Sequence, residues 1–84
     1  MDDTSSNTYY AINRPPDFAT VPAGAIVTEV WPGTRQVPGT ERFAHGFVTY
    51  ASPLPYELVW KYDLLPADPA EQEDYWDWRD DIGL

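Results

Sequence analysis

His45 is the only histidine in this 84-residue chain, and there is no cysteine. Nucleophilic chemistry would therefore need a serine paired with His45 and an acid. The serines are Ser5, Ser6 and Ser52, and none stands in a Gly-x-Ser-x-Gly turn. His45 reads as an ordinary strand histidine. Paired carboxylates are the next chemistry to test, because two acids in unlike surroundings can divide acid and base roles. Glu29 and Glu57 are the candidates if they face one another across strands, but neither sits in an apolar setting that marks it as buried. Asp74, Asp77, Asp80 and Asp81 offer oxygen ligands of the kind Ca²⁺ and Mg²⁺ take, without the loop spacing of an EF-hand. No Gly-rich phosphate loop or dinucleotide fingerprint is present. The sequence thus points to a non-enzyme with no catalytic residues, no cofactor and no metal.

Charge carries more information than these motifs. The net charge is −9, and the segment from Asp63 to Leu84 supplies −7 of it: Asp63, Asp68, Glu71, Glu73, Asp74, Asp77, Asp80 and Asp81 against Arg79 alone. Direct binding to nucleic acid is disfavoured, since phosphate contacts need clustered Lys and Arg. On a helix, Glu73–Asp77, Asp74–Asp77, Asp77–Asp80 and Asp77–Asp81 are like-charge neighbours, each costing about 0.2–0.5 kcal/mol. Asp80 and Asp81 also fall at the negative end of the helix dipole. A basic partner would relieve that repulsion. Residues 68–81 carry −6 over about 21 Å of helix. That approaches the roughly 3.4 Å per charge of one DNA strand. Trp76 stands at the border of this acid face, and tryptophan is enriched at interface hot spots. The expected partner-binding residues are Glu73, Asp74, Trp76, Asp77, Asp80 and Asp81.

The elements that must hold these residues can be read from punctuation and period. Residues 1–8 read as a frayed leader, before a short strand at Tyr9–Ile12 that Arg14-Pro15-Pro16 stops. Ala25–Trp31 is a clear strand, with Val27, Glu29 and Trp31 on one face and Ile26, Thr28 and Val30 on the other. Trp31-Pro32-Gly33-Thr34 and Val37-Pro38-Gly39-Thr40 form an imperfect repeat that predicts two turns framing an exposed loop. Glu41–Tyr50 is a second strand, with Gly46 marking a bulge or a close backbone approach. Tyr56–Leu65 fits both periods; its aromatics and flanking prolines favour a strand. The last element is a helix over 69–82, with Asp68 as N-cap, Pro69 in the first turn and Glu71 completing a capping box. Its core stripe is expected at Glu71, Tyr75, Trp78 and Ile82, with Trp76 left outside it.

Together these elements predict a single α+β domain: an antiparallel sheet of three to four strands with one C-terminal helix packed on it. A small all-β barrel with a helical plug is the alternative. Aromatics make up 15% of the chain, enough large rings to form a core without disulfides. No apolar run approaches the roughly 20 residues needed to span a bilayer. The acidic N-terminus is the reverse of a signal peptide, so a cytoplasmic protein is expected, in the host cell if phage-encoded. The expected function is binding: a regulator or inhibitor that docks a basic surface of a partner protein, such as one that itself binds nucleic acid, through the acidic, aromatic helix. A narrower form is a nucleic-acid mimic that inhibits a DNA- or RNA-handling protein, as phage anti-restriction and anti-CRISPR proteins do. A small structural or assembly phage protein is the third reading.

Overall fold

The run Ala25-Ile26-Val27-Thr28-Glu29-Val30 has the β-branched content of a strand. In the computed structural model, which describes residues 7–83, it opens β2 (Ala25–Gln36). β2 pairs antiparallel with β3 (Phe43–Tyr50), Thr28 opposite Val48 and Glu29 opposite Phe47. β3 pairs in turn with β1 (Thr8–Ile12), Tyr9 opposite Val48, and β1 pairs with β4 (Leu64–Pro66), Tyr10 opposite Leu65. The result is one antiparallel sheet of four strands in the order β2-β3-β1-β4. It has two edges, so the sheet is open and the barrel alternative is excluded. α1 (Tyr56–Lys61) lies between β3 and β4, and α2 (Pro69–Ile82) comes after β4. The α+β architecture stands as expected.

Alternation along β3 decides what is core. Ala44, Gly46, Val48 and Tyr50 are buried, while the neighbouring His45, Phe47 and Thr49 are half-buried. Gly46 is required there: a Cβ would overlap the Glu29 carbonyl oxygen and press the Pro16 ring. The segment before β2 thus rests on the sheet at its two ends, with Pro16, Val21 and Pro22 buried and Asp17, Phe18 and Ala19 between them exposed. Tyr50 fixes it by donating from its hydroxyl to the Pro22 carbonyl at 2.7 Å. Burial is the main cause that pushes the Tyr50 hydroxyl up to about 12, with Tyr62 and Tyr9 adding to it. Tyr9 packs edge-on against Tyr50 and accepts the Leu54 N–H at 2.8 Å, which ties the entry to α1 into the core.

Several local expectations change. The leader was expected over 1–8; residues 1–6 lie outside those described, but Thr8 opens β1 and Asn7 donates to the Ala51 carbonyl at 3.3 Å. Only the second Pro-Gly sequence makes the expected turn, with Thr40 N–H on the Val37 carbonyl at 3.1 Å and Gly39 at φ +78. At the first, pairing passes from Val30–Gly46 to Arg35–Ala44, so residues 31–34 form a bulge within β2. Trp31 supplies the reason: it packs over Phe47 and Tyr10, with centroids 6.0 and 6.2 Å apart, and that burial holds the bulged strand on the sheet.

Tyr56–Leu65 is not one strand. Pro55 leads into α1, which buries Val59 and leaves Trp60 42% exposed. A strand would have placed Leu58, Trp60, Tyr62 and Leu64 on one face. After α1 the chain turns at Tyr62–Asp63, with Asp63 at φ +55, and only Leu64–Pro66 extends to pair with β1. Glu57 therefore sits in the first turn of α1 and is exposed, so Glu29 and Glu57 do not face one another across strands.

Candidate functional site

α2 spans Pro69–Ile82. Pro69 suits its first turn because proline's missing N–H would be unpaired there anyway. The helix stops at Gly83, whose φ of +82 is the left-handed conformation glycine adopts without strain. The expected capping box does not form: Asp68 holds the N-cap position without a side-chain hydrogen bond. Glu71 is drawn toward the body instead. Burial raises its carboxyl above the ordinary range, and the nearby charges of Asp68 and Asp74 raise it further.

The side of α2 that meets the body differs from the expected stripe. Gln72 and Tyr75 are buried and Trp76 and Arg79 are half-buried, whereas Ile82 is 50% exposed. The seam thus centres on Gln72, Tyr75, Trp76 and Arg79, rotated from Glu71-Tyr75-Trp78-Ile82, of which Glu71 and Trp78 stay half-buried at its border. Aromatic packing on both flanks drives the rotation. Tyr75 meets Tyr56 edge-on at 5.6 Å and stacks with Trp78 at 6.0 Å. On the other flank Trp76 tilts against Tyr75 at 5.2 Å and packs on the core. Trp76 is therefore not an exposed anchor. Trp78, expected in the core, is half-buried against it.

The outward side of α2 is as the sequence places it: Glu73, Asp74, Asp77, Asp80 and Asp81 are all exposed along one ridge. Trp76 does not share that ridge; it forms the floor of the groove beside it. Arg42, from the turn between β2 and β3, places its guanidinium carbon 5.1 Å from the Trp76 ring centroid, and Arg79 lies 5.2 Å from the same centroid. Two of the five basic residues thus converge on one indole. Among the described residues the ion pair present is Arg14–Asp63, at 3.5 Å, and neither Arg42 nor Arg79 has a carboxylate partner. Arg79 also reaches the Tyr75 hydroxyl; burial raises that hydroxyl's pKa, while Arg79 and Arg42 pull it down.

The helix thus separates two charge environments, a negative ridge outside and a positive spot at its junction with the sheet. The spacing Trp76–Arg79 is an i,i+3 relation that sequence reasoning had available and did not use. Arg42 is distant in the chain, and only the turn between β2 and β3 brings it to Trp76. No group of acids and histidine able to hold a metal ion occurs among the described residues. Nor is any helix among them long and apolar enough to cross a membrane.

An open four-stranded α+β module that carries an acidic helix on one edge is the class this architecture defines. Residues 4–69 match the family model described as Defence against restriction A C-terminal, and that match covers most of the chain. The chain belongs to this family. The match rests on the sheet and α1 and stops at the first residue of α2, so the acidic ridge is argued from its own residues. No curated protein and no solved structure matches the chain.

Proposed function

We propose that this protein is a non-enzymatic anti-restriction module that docks on a basic surface of a DNA-handling partner protein through the outer ridge of α2. The observation that carries the reading is the exposure of Glu73, Asp74, Asp77, Asp80 and Asp81 on one side of a single helix. That density of like charge costs helix stability, and among the described residues no ion pair offsets it, since Arg79 turns inward. The family's description supplies the kind of system, and the ridge supplies the kind of surface. A narrower form of the reading is that the ridge mimics a phosphate backbone. The structural or assembly reading has no specific observation in its favour.

The test is restriction of unmodified DNA in cells that express this chain, compared with an Asp74→Asn, Asp77→Asn, Asp80→Asn variant. Protection by the natural chain, lost in the variant, is the expected result. Equal protection by both would remove the ridge from the mechanism, and protection by neither would remove the anti-restriction reading. With the purified target enzyme, association should slow by about tenfold or more as salt rises from low to physiological. DNA and this protein should compete; a ternary complex would rule out mimicry.

A further inference from the structure

Behind the acidic ridge, a cleft of about 160 Å³ opens between α2, the turn after β1 and the turn between β2 and β3. Its chemistry is opposite to that of the ridge. Arg42 and Arg79 line it together with Asn13, Asp63 and the rings of Tyr75 and Trp76. Asp63 is the acid in the lining, and it already faces Arg14 at 3.5 Å. The two remaining guanidiniums lie over Trp76 without a carboxylate. In a chain with 14 acids and five bases, that is an unexpected place to leave two cations unpaired. Two like charges brought to one ring repel each other, and neighbouring acids on the same helix were available to quench them.

The stacking explains what the arginines are free to do. An arginine laid on an aromatic face keeps its plane fixed and its N–H edge available for an anion. Arg79 is held further by Tyr75, and its buried Nε has no hydrogen-bond partner. Asn13, at φ +77, turns the chain at the rim of the same cleft. Donors from three separate parts of the chain suit an anion with several oxygens pointing apart, rather than a planar carboxylate that one arginine would take by itself.

We infer that this cleft is a binding site for a single phosphate group, held by Arg42 and Arg79 with Asn13 at its rim. The overall charge of −9 repels a long polyanion, so the ligand is inorganic phosphate or a terminal monophosphate and not the interior of a nucleic-acid strand. This site is independent of the outer ridge and of the partner proposed for it.

The test is a titration of the intact chain with inorganic phosphate at constant ionic strength, read by tryptophan fluorescence and by NMR of the arginine Nε–H groups. Saturable binding is expected, with a dissociation constant of about 1 mM, and Arg42→Gln should weaken it by about tenfold. Arg42 is exposed, so this variant keeps its fold, which thermal unfolding will verify. Arg79→Lys keeps the charge but loses the planar fork and should weaken binding as well. Arg35→Gln removes an arginine stacked on Trp31 elsewhere and should change nothing. A nucleoside 5′-monophosphate arm identifies the source: tighter binding than inorganic phosphate assigns a nucleotide end, and equal binding assigns free phosphate. The inference is overturned by any of three results: no saturable response to phosphate or to the monophosphate, an unchanged response in Arg42→Gln, or acetate or a phosphodiester binding as well as phosphate.

Discussion

The two edges of the sheet are built in opposite ways. β4 is three residues long, and Leu64, Leu65 and Pro66 are all buried. β2 is twelve residues long, and Ile26, Val27 and Val30 are 60%, 48% and 54% exposed. Both edges are rich in apolar side chains, so composition alone does not distinguish them. The difference lies in the connection that leaves each strand. The chain after β4 continues into α2, which returns to cover it, and α1 approaches from before. The chain after β2 makes a tight turn straight into β3, and no element of the described chain returns over that edge. An apolar residue is core or surface here according to where the next segment of chain goes.

The largest effect should come from Leu65→Ala, which empties a fully buried site under two helices and should cost about 2–5 kcal/mol by denaturant unfolding. Val30→Thr on the open edge should change stability by less than about 0.5 kcal/mol. If the two substitutions cost the same, the contrast between the edges fails. Between these extremes lies Tyr50, whose bond to Pro22 holds the segment before β2 on the sheet. Its hydroxyl titrates at about 12 in the fold against 10.0 ordinarily. A raised folded pKa means that stability is full below pH 10 and is lost as pH rises through about 12. Tyrosinate absorbance against unfolding midpoint will show this alkaline loss, and Tyr50→Phe should remove that part of it. An unchanged alkaline profile in Tyr50→Phe would mean that the tether does not set the stability of the β2 side.

The fold class, the first half of β2, the second Pro-Gly turn and the bounds of α2 were legible because each rests on local chemistry: β-branched runs, a proline with a glycine after it, a proline at the start and a glycine at the end. What was not legible depended on distant partners. Residues 31–34 carry a good turn sequence, and only the packing of Trp31 over Phe47 and Tyr10 makes them a bulge. Tyr56–Lys61 carries both periods, and the requirement that Leu64–Pro66 turn back to β1 settles it as a helix. The acidic ridge was read correctly as an exposed face, because charge spacing on a helix is local. Trp76 was misplaced, because its cover comes from Arg42 at the far end of another hairpin. Family membership was not legible in any short motif, since what the family model matches is most of the chain rather than a signature.

The open edge of β2 gives the charge of this protein a second meaning. An uncovered strand offers unpaired N–H and C=O groups to any similar strand it meets, and residues 25–36 carry Glu29 and Arg35, so the strand itself is neutral. The bulge at residues 31–34, with Pro32, interrupts pairing along that half of the strand and leaves residues 25–30 open to it. The remaining restraint is colloidal, from the −9 spread over the rest of the molecule, and at physiological ionic strength it reaches only about 8 Å. Acid that protonates the ridge, or salt that screens it, shortens that reach. The same carboxylates proposed here to meet a partner also keep copies of the molecule dispersed.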